Sequence, residues 1–180
     1  MTALPVRIAA CPELALTPAV EADIAGLLAS CFDTDFGGRS YFQQRHHLRL
    51  LVWKEDRLIG HAALLLRAVR LGAALMDVAG LAEVATHPDH RGQGIAAALV
   101  ARAIAEAAAS PACHLLLFGT ARVYAAAGFV PHSNPMTWVD MAGARMGAVM
   151  SARAETLMVR PLTDLQWNGT APLDLLGNLF

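Results

Sequence analysis

The sequence predicts an α/β fold, a mixed and mainly antiparallel sheet with one parallel strand pair that splays apart and helices on both faces. Three observations predict it. Leu48–Lys54 and Arg57–Leu66 are apolar runs of strand length joined through Glu55-Asp56, which is an antiparallel hairpin. Val78–Thr86 and Cys113–Phe118 are two further apolar runs, separated by a stretch in which Ile95, Leu99, Ala103, Ile104 and Ala107 repeat with helical spacing. A strand, a helix and a strand in that order form a right-handed parallel crossover.

Taken in order, Val6–Ala10 reads as a first strand ended by Cys11-Pro12. Thr17 is then an N-cap and Pro18 the first helical residue, with Val20, Ile24, Leu27, Leu28 and Cys31 as the apolar stripe. Two acids and two glycines make the segment from Asp33 to Ser40 a loop, followed by a short helix over Tyr41–Arg45. Gly72 turns the hairpin's second strand toward Val78–Thr86. Ser110-Pro111 ends the long helix, and Cys113–Phe118 is apolar throughout, as expected of a strand covered on both faces. Thr120–Ala127 is a short helix with Gly128 at its C-cap, leading into Phe129. Asn134–Asp140 and Glu155–Leu162 form a last strand pair around a mobile connection, Met141–Ser151. The tail from Trp167 ends on an apolar residue, and neither a repeat nor a linker interrupts the chain.

At 180 residues the chain fits one domain, residues 1–180. A net charge of −1 favours neither nucleic acid nor an anionic membrane surface as a partner. Although 56% of residues are hydrophobic, charged residues, proline and glycine interrupt every run before the roughly 18 residues a membrane span needs. The first residues, Met1-Thr-Ala-Leu-Pro-Val-Arg7, lack a basic, apolar leader, so the expected location is the cytoplasm. Pairing of two copies through exposed apolar strand surface is compatible with this composition, but no motif specifies a homodimer. Cys11, Cys31 and Cys113 are odd in number and widely spaced, and read as small buried hydrophobes. Cys113 beside His114 is set aside as a nucleophile and base because strand neighbours point to opposite faces. Of the seven histidines, His87 and His90 flank Pro88, where phosphate contact or solvent exposure is expected, and His46 and His47 diverge; no metal site is expected.

Chemistry concentrates where Val78–Thr86 meets the long helix through Arg91-Gly-Gln-Gly-Ile-Ala96. The glycines admit a ligand close to the backbone, and the free N–H groups of the first helical turn attract an anion such as a pyrophosphate. A dinucleotide-binding reading of Gly92-x-Gly94-x-x-Ala97 requires an acid at the end of the next strand, which instead ends Leu117-Phe-Gly-Thr120. Pro88–Arg91 also lengthen a turn that should be tight, and no Walker sequence is present.

Arg91-x-x-Gly94-x-Ala96, placed after a strand and before a helix, resembles motif A of the GNAT superfamily of acyl-CoA-dependent N-acyltransferases. Ala121-Arg-Val-Tyr124-Ala-Ala-Ala-Gly128-Phe129 resembles that superfamily's second signature, and the two follow the family's order. Within it the whole length is similar to the aminoglycoside 2′-N-acetyltransferases and, more distantly, the nodulation N-acyltransferases. That similarity rests on Cys31-Phe32 with Asp35-Phe36, on Trp53, His61-Ala-Ala63 and Asp89, on Arg91-Gly-Gln93, on Phe118-Gly-Thr120 and on Ala121 with Tyr124. Ser40 stands where the aminoglycoside enzymes carry an acid, and Arg145 and Arg153 lie in the connection that would supply another, which sets a polyamine sugar as only one candidate acceptor.

The resemblance implies a GNAT fold and transfer of an acetyl group from acetyl-CoA to a primary amine of a small molecule by direct attack, without metal. It implies that Val84, Ala85 and Thr86 hold the pantetheine arm and that Arg91, Gly92, Gln93, Gly94, Ile95 and Ala96 hold the phosphates. Asp35 and Phe36 would face the acceptor, and Tyr124 would protonate the leaving thiolate. An alkylammonium must lose a proton before attack. Glu83 is the internal candidate base, acting through water; the plainer readings are a solvent-facing carboxylate or one paired with an arginine, and a bulge at Gly80 would decide which side it faces. The α-carboxylate of Phe180 is a second candidate, since the resemblance implies an aromatic tail folded into the substrate site. An acyl-CoA-binding or sensor module without catalysis is the reading from another class, and Tyr124, which a pure binder does not need, distinguishes the two.

Overall fold

The computed structural model describes residues 7–180; Met1–Val6, and with them the expected start of the first strand, lie outside the described residues. The elements are β1 (Ile8–Pro12), α1 (Pro18–Cys31), β2 (Leu48–Lys54), β3 (Arg57–Leu71), β4 (Ala74–Thr86), α2 (Ile95–Ala108), β5 (His114–Phe118), α3 (Arg122–Ala126), β6 (Val130–Pro131), β7 (Pro135–Val139), β8 (Val149–Arg153), β9 (Leu157–Pro161) and β10 (Leu173–Asp174). They make one mixed sheet in the order β6-β9-β5-β4-β3-β10-β7-β8, with β1 and β2 added on β3. Among the described residues no helix is long and apolar enough to cross a membrane.

The long hairpin β3–β4 is the spine. It turns at Gly72 as the sequence predicts, but both strands run further, from Arg57 to Leu71 and from Ala74 to Thr86. β4 and β5 are parallel, pairing Val78 with His114, Ala79 with Leu115 and Gly80 with Leu116. Beyond Gly80 the two share no further rungs, so they diverge and leave a gap between them.

The helices cover opposite faces because alternate strand residues do. Leu50, Val52, Ile59, Leu64 and Leu81 pack under α2, whose Ile95, Leu99, Val100 and Ala103 are buried. Leu51, Leu58 and Ala85 pack under Ile24, Leu27 and Leu28 of α1, where Thr17 accepts the Val20 N–H as the predicted N-cap. At Gly60 an added Cβ would sit 2.6 Å from Ile95 Cγ2. Only glycine lets the first turn of α2 press this closely on β3, which fixes where that helix begins.

Four sequence expectations are corrected. Tyr41–Arg45 forms bends, not a helix. The two last apolar runs do not pair with each other: β7 pairs with β8 and β10, whereas β9 joins β5 and β6. The intervening connection is ordered in part as β8, because Val149–Arg153 can complete β7's open edge. The three cysteines are half-buried, not core residues.

Candidate active site

A cavity of about 460 Å³ lies against the opened side of β4 and the start of α2, between the strand end, the glycine turn and α3. Val84, Ala85 and Thr86 line one wall, Arg91, Gly92, Gly94, Ile95 and Ala96 the floor, and Tyr124 the far side. Gly94 is the N-cap of α2 with φ +80°, and no side chain caps the helix's first amides. A Cβ at Gly92 or Gly94 would meet nothing within 4 Å, so the space above the turn is open. Uncapped amides, a helix dipole and an open glycine floor make a receptor for a phosphate anion. Gln93 is exposed and lies outside the lining residues.

Tyr124 sits mid-helix in α3, its ring edge-on to Phe129 with centroids 6.1 Å apart. A Cβ at Gly119 would come within 3.1 Å of Tyr124 Cε2, so this glycine makes room for the ring. Burial pushes the phenol above its ordinary pKa, which keeps the proton on at neutral pH.

A second cavity, of about 320 Å³, adjoins the first: Phe32 lines both, and the consecutive residues Glu83 and Val84 face one each. This division comes from one extra residue. His61 pairs with Ala85 and Ala63 with Ala82, so Ala62 faces two residues of β4, Glu83 and Val84, and Glu83 takes φ +51°. Without that bulge, alternation would send Glu83 into the apolar core with Ala79 and Leu81. With it, Glu83 joins Ala82 in the second cavity and Val84 takes the core side. The expected bulge at Gly80 is therefore misplaced by three residues; Gly80 pairs regularly with Leu65 and Leu116. Its lack of a side chain serves Phe180 instead, whose ring atoms lie 2.6–2.9 Å from where a Cβ would be.

Glu83 is neither solvent-facing nor isolated. Its side chain is 7% exposed; Oε1 accepts the Phe42 N–H at 2.8 Å and Oε2 accepts from Arg49 at 3.2 Å. His46 Nε2 stands 3.1 Å from the same oxygen, at ion-pair distance but without the alignment of a hydrogen bond. Burial pushes its pKa up, but the neighbouring His46 and Arg49 outweigh this and hold the carboxyl below its ordinary value. Arg49, fully buried, also grips Glu13 with Nε at 2.7 Å and Nη2 at 3.1 Å, and donates to the Ser40 carbonyl. His61 Nδ1 lies 2.8 Å from the Glu83 carbonyl, an acceptor, so Nδ1 carries the proton and Nε2 accepts from Arg49 at 3.2 Å. Burial lowers the His61 pKa to about 4 and keeps the ring neutral.

The second cavity has apolar and aromatic walls, Phe32, Phe36, Phe42, Leu65, Phe118 and Phe180 among them, interleaved with polar side chains such as Gln43, Gln44 and Asn178. Phe36 lines this cavity, whereas Asp35 is exposed, accepts the Gly37 N–H at 2.6 Å and is not among the lining residues. Nor do Ser40, Arg145 or Arg153 line it; the ionisable groups that do, besides Glu83, are Arg45, Arg67, His46 and His47. Phe180 packs its ring on Phe118 at 5.3 Å, so the tail does fold into this cleft.

Sequence reasoning missed Arg49, His46 and Arg67. An arginine inside the apolar run Leu48-Arg-Leu-Leu-Val52 and a glutamate inside another were the readable sign of a buried ion pair. The reason given against pairing Cys113 with His114 also fails, since Cys113 precedes β5 and its Sγ lies 3.3 Å from His114 Nδ1. The thiol donates to the Asp77 carbonyl and burial raises its pKa, so it is no thiolate. His87 Nδ1 accepts the Asp89 N–H and its Nε2 meets Arg57, which occupies it structurally. Among the described residues no cluster of three or more His, Cys, Asp or Glu could hold a metal ion.

Residues 16–131 match the family model described as an acetyltransferase (GNAT) domain. No curated protein matches the chain by sequence. A GNAT family N-acetyltransferase from Escherichia coli in complex with CoA is 20% identical with a TM-score of 0.66, over 97% of this chain and 93% of that one. A GNAT family acetyltransferase from Brucella melitensis in complex with acetyl-CoA is 17% identical with a TM-score of 0.58, over 92% and 94%. The ribosomal-protein-S18-alanine N-acetyltransferase of Escherichia coli is 16% identical with a TM-score of 0.59, over 90% and 98%. Identities this low speak to the shared fold.

Proposed function

The chain belongs to the acetyltransferase (GNAT) domain family, and from that premise we propose that it transfers an acetyl group from acetyl-CoA to the primary amine of a small molecule, with residues 1–180 acting as one domain. The observation that carries this reading is the meeting of two cavities at one bulge, an anion-receiving cradle on the Val84 side and a carboxylate-bearing cleft on the Glu83 side.

In this proposal the amides of Gly92 and of Gly94 to Ala96, with Arg91 and Gln93 beside them, hold the pyrophosphate. Val84, Ala85 and Thr86, past the last rung shared with β5, offer backbone groups to the pantetheine arm, and an N–H there steadies the oxyanion. Acetyl-CoA supplies the electrophilic carbonyl and a thiolate leaving group with an ordinary pKa near about 8.5. Glu83 draws the alkylammonium into the cleft; with its pKa held down it is a weak base, so it orients the amine and passes the proton to water. The α-carboxylate of Phe180 is the second candidate for that proton. The amine nitrogen bonds to the acyl carbon and releases its second proton to water, the carbon–sulfur bond breaks, and Tyr124 gives its proton to the sulfur and recovers one from solvent.

The test is calorimetry with acetyl-CoA followed by thiol release against aminoglycosides, polyamines, amino acids and peptides. Binding with turnover on at least one amine is expected. Absence of coenzyme binding overturns the proposal, and binding without turnover on any amine favours a sensor module instead. The similarity to the aminoglycoside 2′-N-acetyltransferases makes an amino sugar one member of that panel.

A further inference from the structure

Resting on the function proposed above, we infer that the acceptor is an amine joined to a carboxylate across an apolar body, on the scale of a short peptide of apolar residues, and not a polycation. The argument starts from charge. Of the charged groups lining the acceptor cleft, Arg45 is committed to Glu13 and Glu21. Arg67 has no such partner: it donates to the carbonyl oxygen and Oδ1 of Asn178, both neutral, and among the described residues no carboxylate lies within ion-pair distance. Its guanidinium lies over the Phe180 ring, 5.4 Å from the centroid, and burial lowers its pKa. A partly desolvated guanidinium satisfied only by neutral oxygens favours an incoming carboxylate, which it can bind in a two-pronged way.

Glu83 is the one side-chain carboxylate among the lining residues, and it is already opposed by Arg49. A polyamine sugar would bring several positive charges toward Arg67 and find, besides the α-carboxylate of Phe180, a single, largely neutralised acid. It would also lay polar surface on Phe36, Phe42, Leu65 and Phe118, at a desolvation cost those walls cannot return. An apolar body gains from the same walls.

The spacing sets the length. Arg67 pairs with Val78, and Glu83 lies five residues further along β4, roughly 16 Å of strand at ~3.3 Å per residue. Both side chains reach into the cleft from that separation, which exceeds the single carbon between amine and carboxylate in an α-amino acid. A dipeptide or an ω-amino acid spans more of it.

The experiment compares acetylation of Leu-Phe, Leu-Phe-amide, 6-aminohexanoate, free phenylalanine, spermidine and an aminoglycoside by the full chain, with calorimetric binding of each in the presence of CoA. Turnover on Leu-Phe with KM at least tenfold below that of its amide supports the inference. In Arg67→Met that preference should collapse, with KM for the acid rising roughly ten- to a hundredfold and toward that of the amide; Arg67→Lys keeps a charge for comparison where the methionine variant folds poorly. A faster 6-aminohexanoate identifies an ω-amino acid as the source of the same chemistry. Preference for spermidine or the aminoglycoside, or equal use of acid and amide, overturns the inference while leaving the acetyl transfer intact. Coenzyme bound with none of these compounds bound or acetylated also overturns it, whereas failure of the coenzyme to bind defeats the underlying function.

Discussion

Replacing Arg49 by methionine removes one side chain and strands two acids. The guanidinium is fully buried and donates to Glu13 in two-pronged fashion, to the Ser40 carbonyl, to His61 Nε2 and to Glu83. After the change Glu13 keeps Arg45 at 3.2 Å, and Glu83 keeps the Phe42 N–H and His46. Removing one partner of a buried ion pair costs about 3–5 kcal/mol, because the remaining charge stays desolvated. For a chain of this length each kcal/mol lowers Tm by about 2–4 °C, so roughly 6–20 °C should be lost. Thermal unfolding followed by circular dichroism reads this directly. The deficit has a pH signature. Glu83 is held below its ordinary pKa, so its contribution to stability is complete above the ordinary carboxylate range and lost as pH falls through the folded-state value. Protonation also relieves the stranded acid in the variant, so the gap between the two proteins should narrow as pH drops below about 4. Adding Glu83→Gln to the variant should recover part of the loss near neutral pH. A fall in Tm under about 2 °C, or a deficit that does not respond to pH, would refute the idea of a dry, charge-balanced network.

Tyr124→Phe should lower kcat by about a hundredfold or more with acetyl-CoA affinity unchanged, as thiol release and calorimetry together would register; a loss under tenfold removes the phenol from its proposed role. Because burial raises the Tyr124 pKa, the wild-type rate should not decline through the loss of its proton until pH exceeds about 10. Gly80→Ala places a Cβ 2.6 Å from the Phe180 ring, so the ring must leave its seat; acceptor KM should rise while coenzyme affinity stays the same. His61, with its pKa lowered to about 4 by burial, is neutral when folded but binds a proton when unfolded below its ordinary value. Its share of stability is full above about pH 6.5 and falls by up to about 1.4 kcal/mol per pH unit on the way down to 4, so denaturant midpoints should decline over that window and decline less in His61→Asn.

Local signals reached far in this chain. Thr17-Pro18, Gly72 and the glycine turn before Ile95 each mark a backbone event that short-range chemistry dictates, and each lies where the sequence predicts. Strand partnership is a different kind of quantity. The apolar character of Leu157–Pro161 specifies burial on both faces but not whether β7 or β5 provides the neighbour, and β8 is exposed along its length, so no buried-and-exposed alternation in Met141–Ser151 announces it. The same limit applies to the site. The cradle is built from consecutive residues and is visible as such. The acceptor cleft draws Phe36, Leu65, Glu83, Phe118 and Phe180 from separated segments, and no spacing rule joins them.

Glu83 joins these two scales. A non-glycine residue at φ +51° costs about 1–2 kcal/mol locally, so something must hold it there. The Phe42 N–H, Arg49 and His46 are all reachable only from the bulged conformation, since regular alternation would put the carboxylate among Ala79, Leu81 and Leu64 without a partner. Burying an unpaired carboxylate there costs several kcal/mol, far more than the strained dihedral. The bulge is therefore the lower-energy solution to having an acid in an apolar strand, and it is enforced by Arg49 on β2, reaching across β3. Its by-product is that consecutive residues face different cavities, with the acid on the acceptor side and an aliphatic side chain on the coenzyme side. An apolar residue at position 83 would remove the reason for the bulge, and the strand could return to regular alternation, turning Val84 out of the core. Position 83 thus sets the geometry of the junction as well as its charge, and a Glu83→Leu protein should lose both acceptor selectivity and the register of Val84 to Thr86, whereas Glu83→Gln, which keeps the Phe42 contact, should lose only the first.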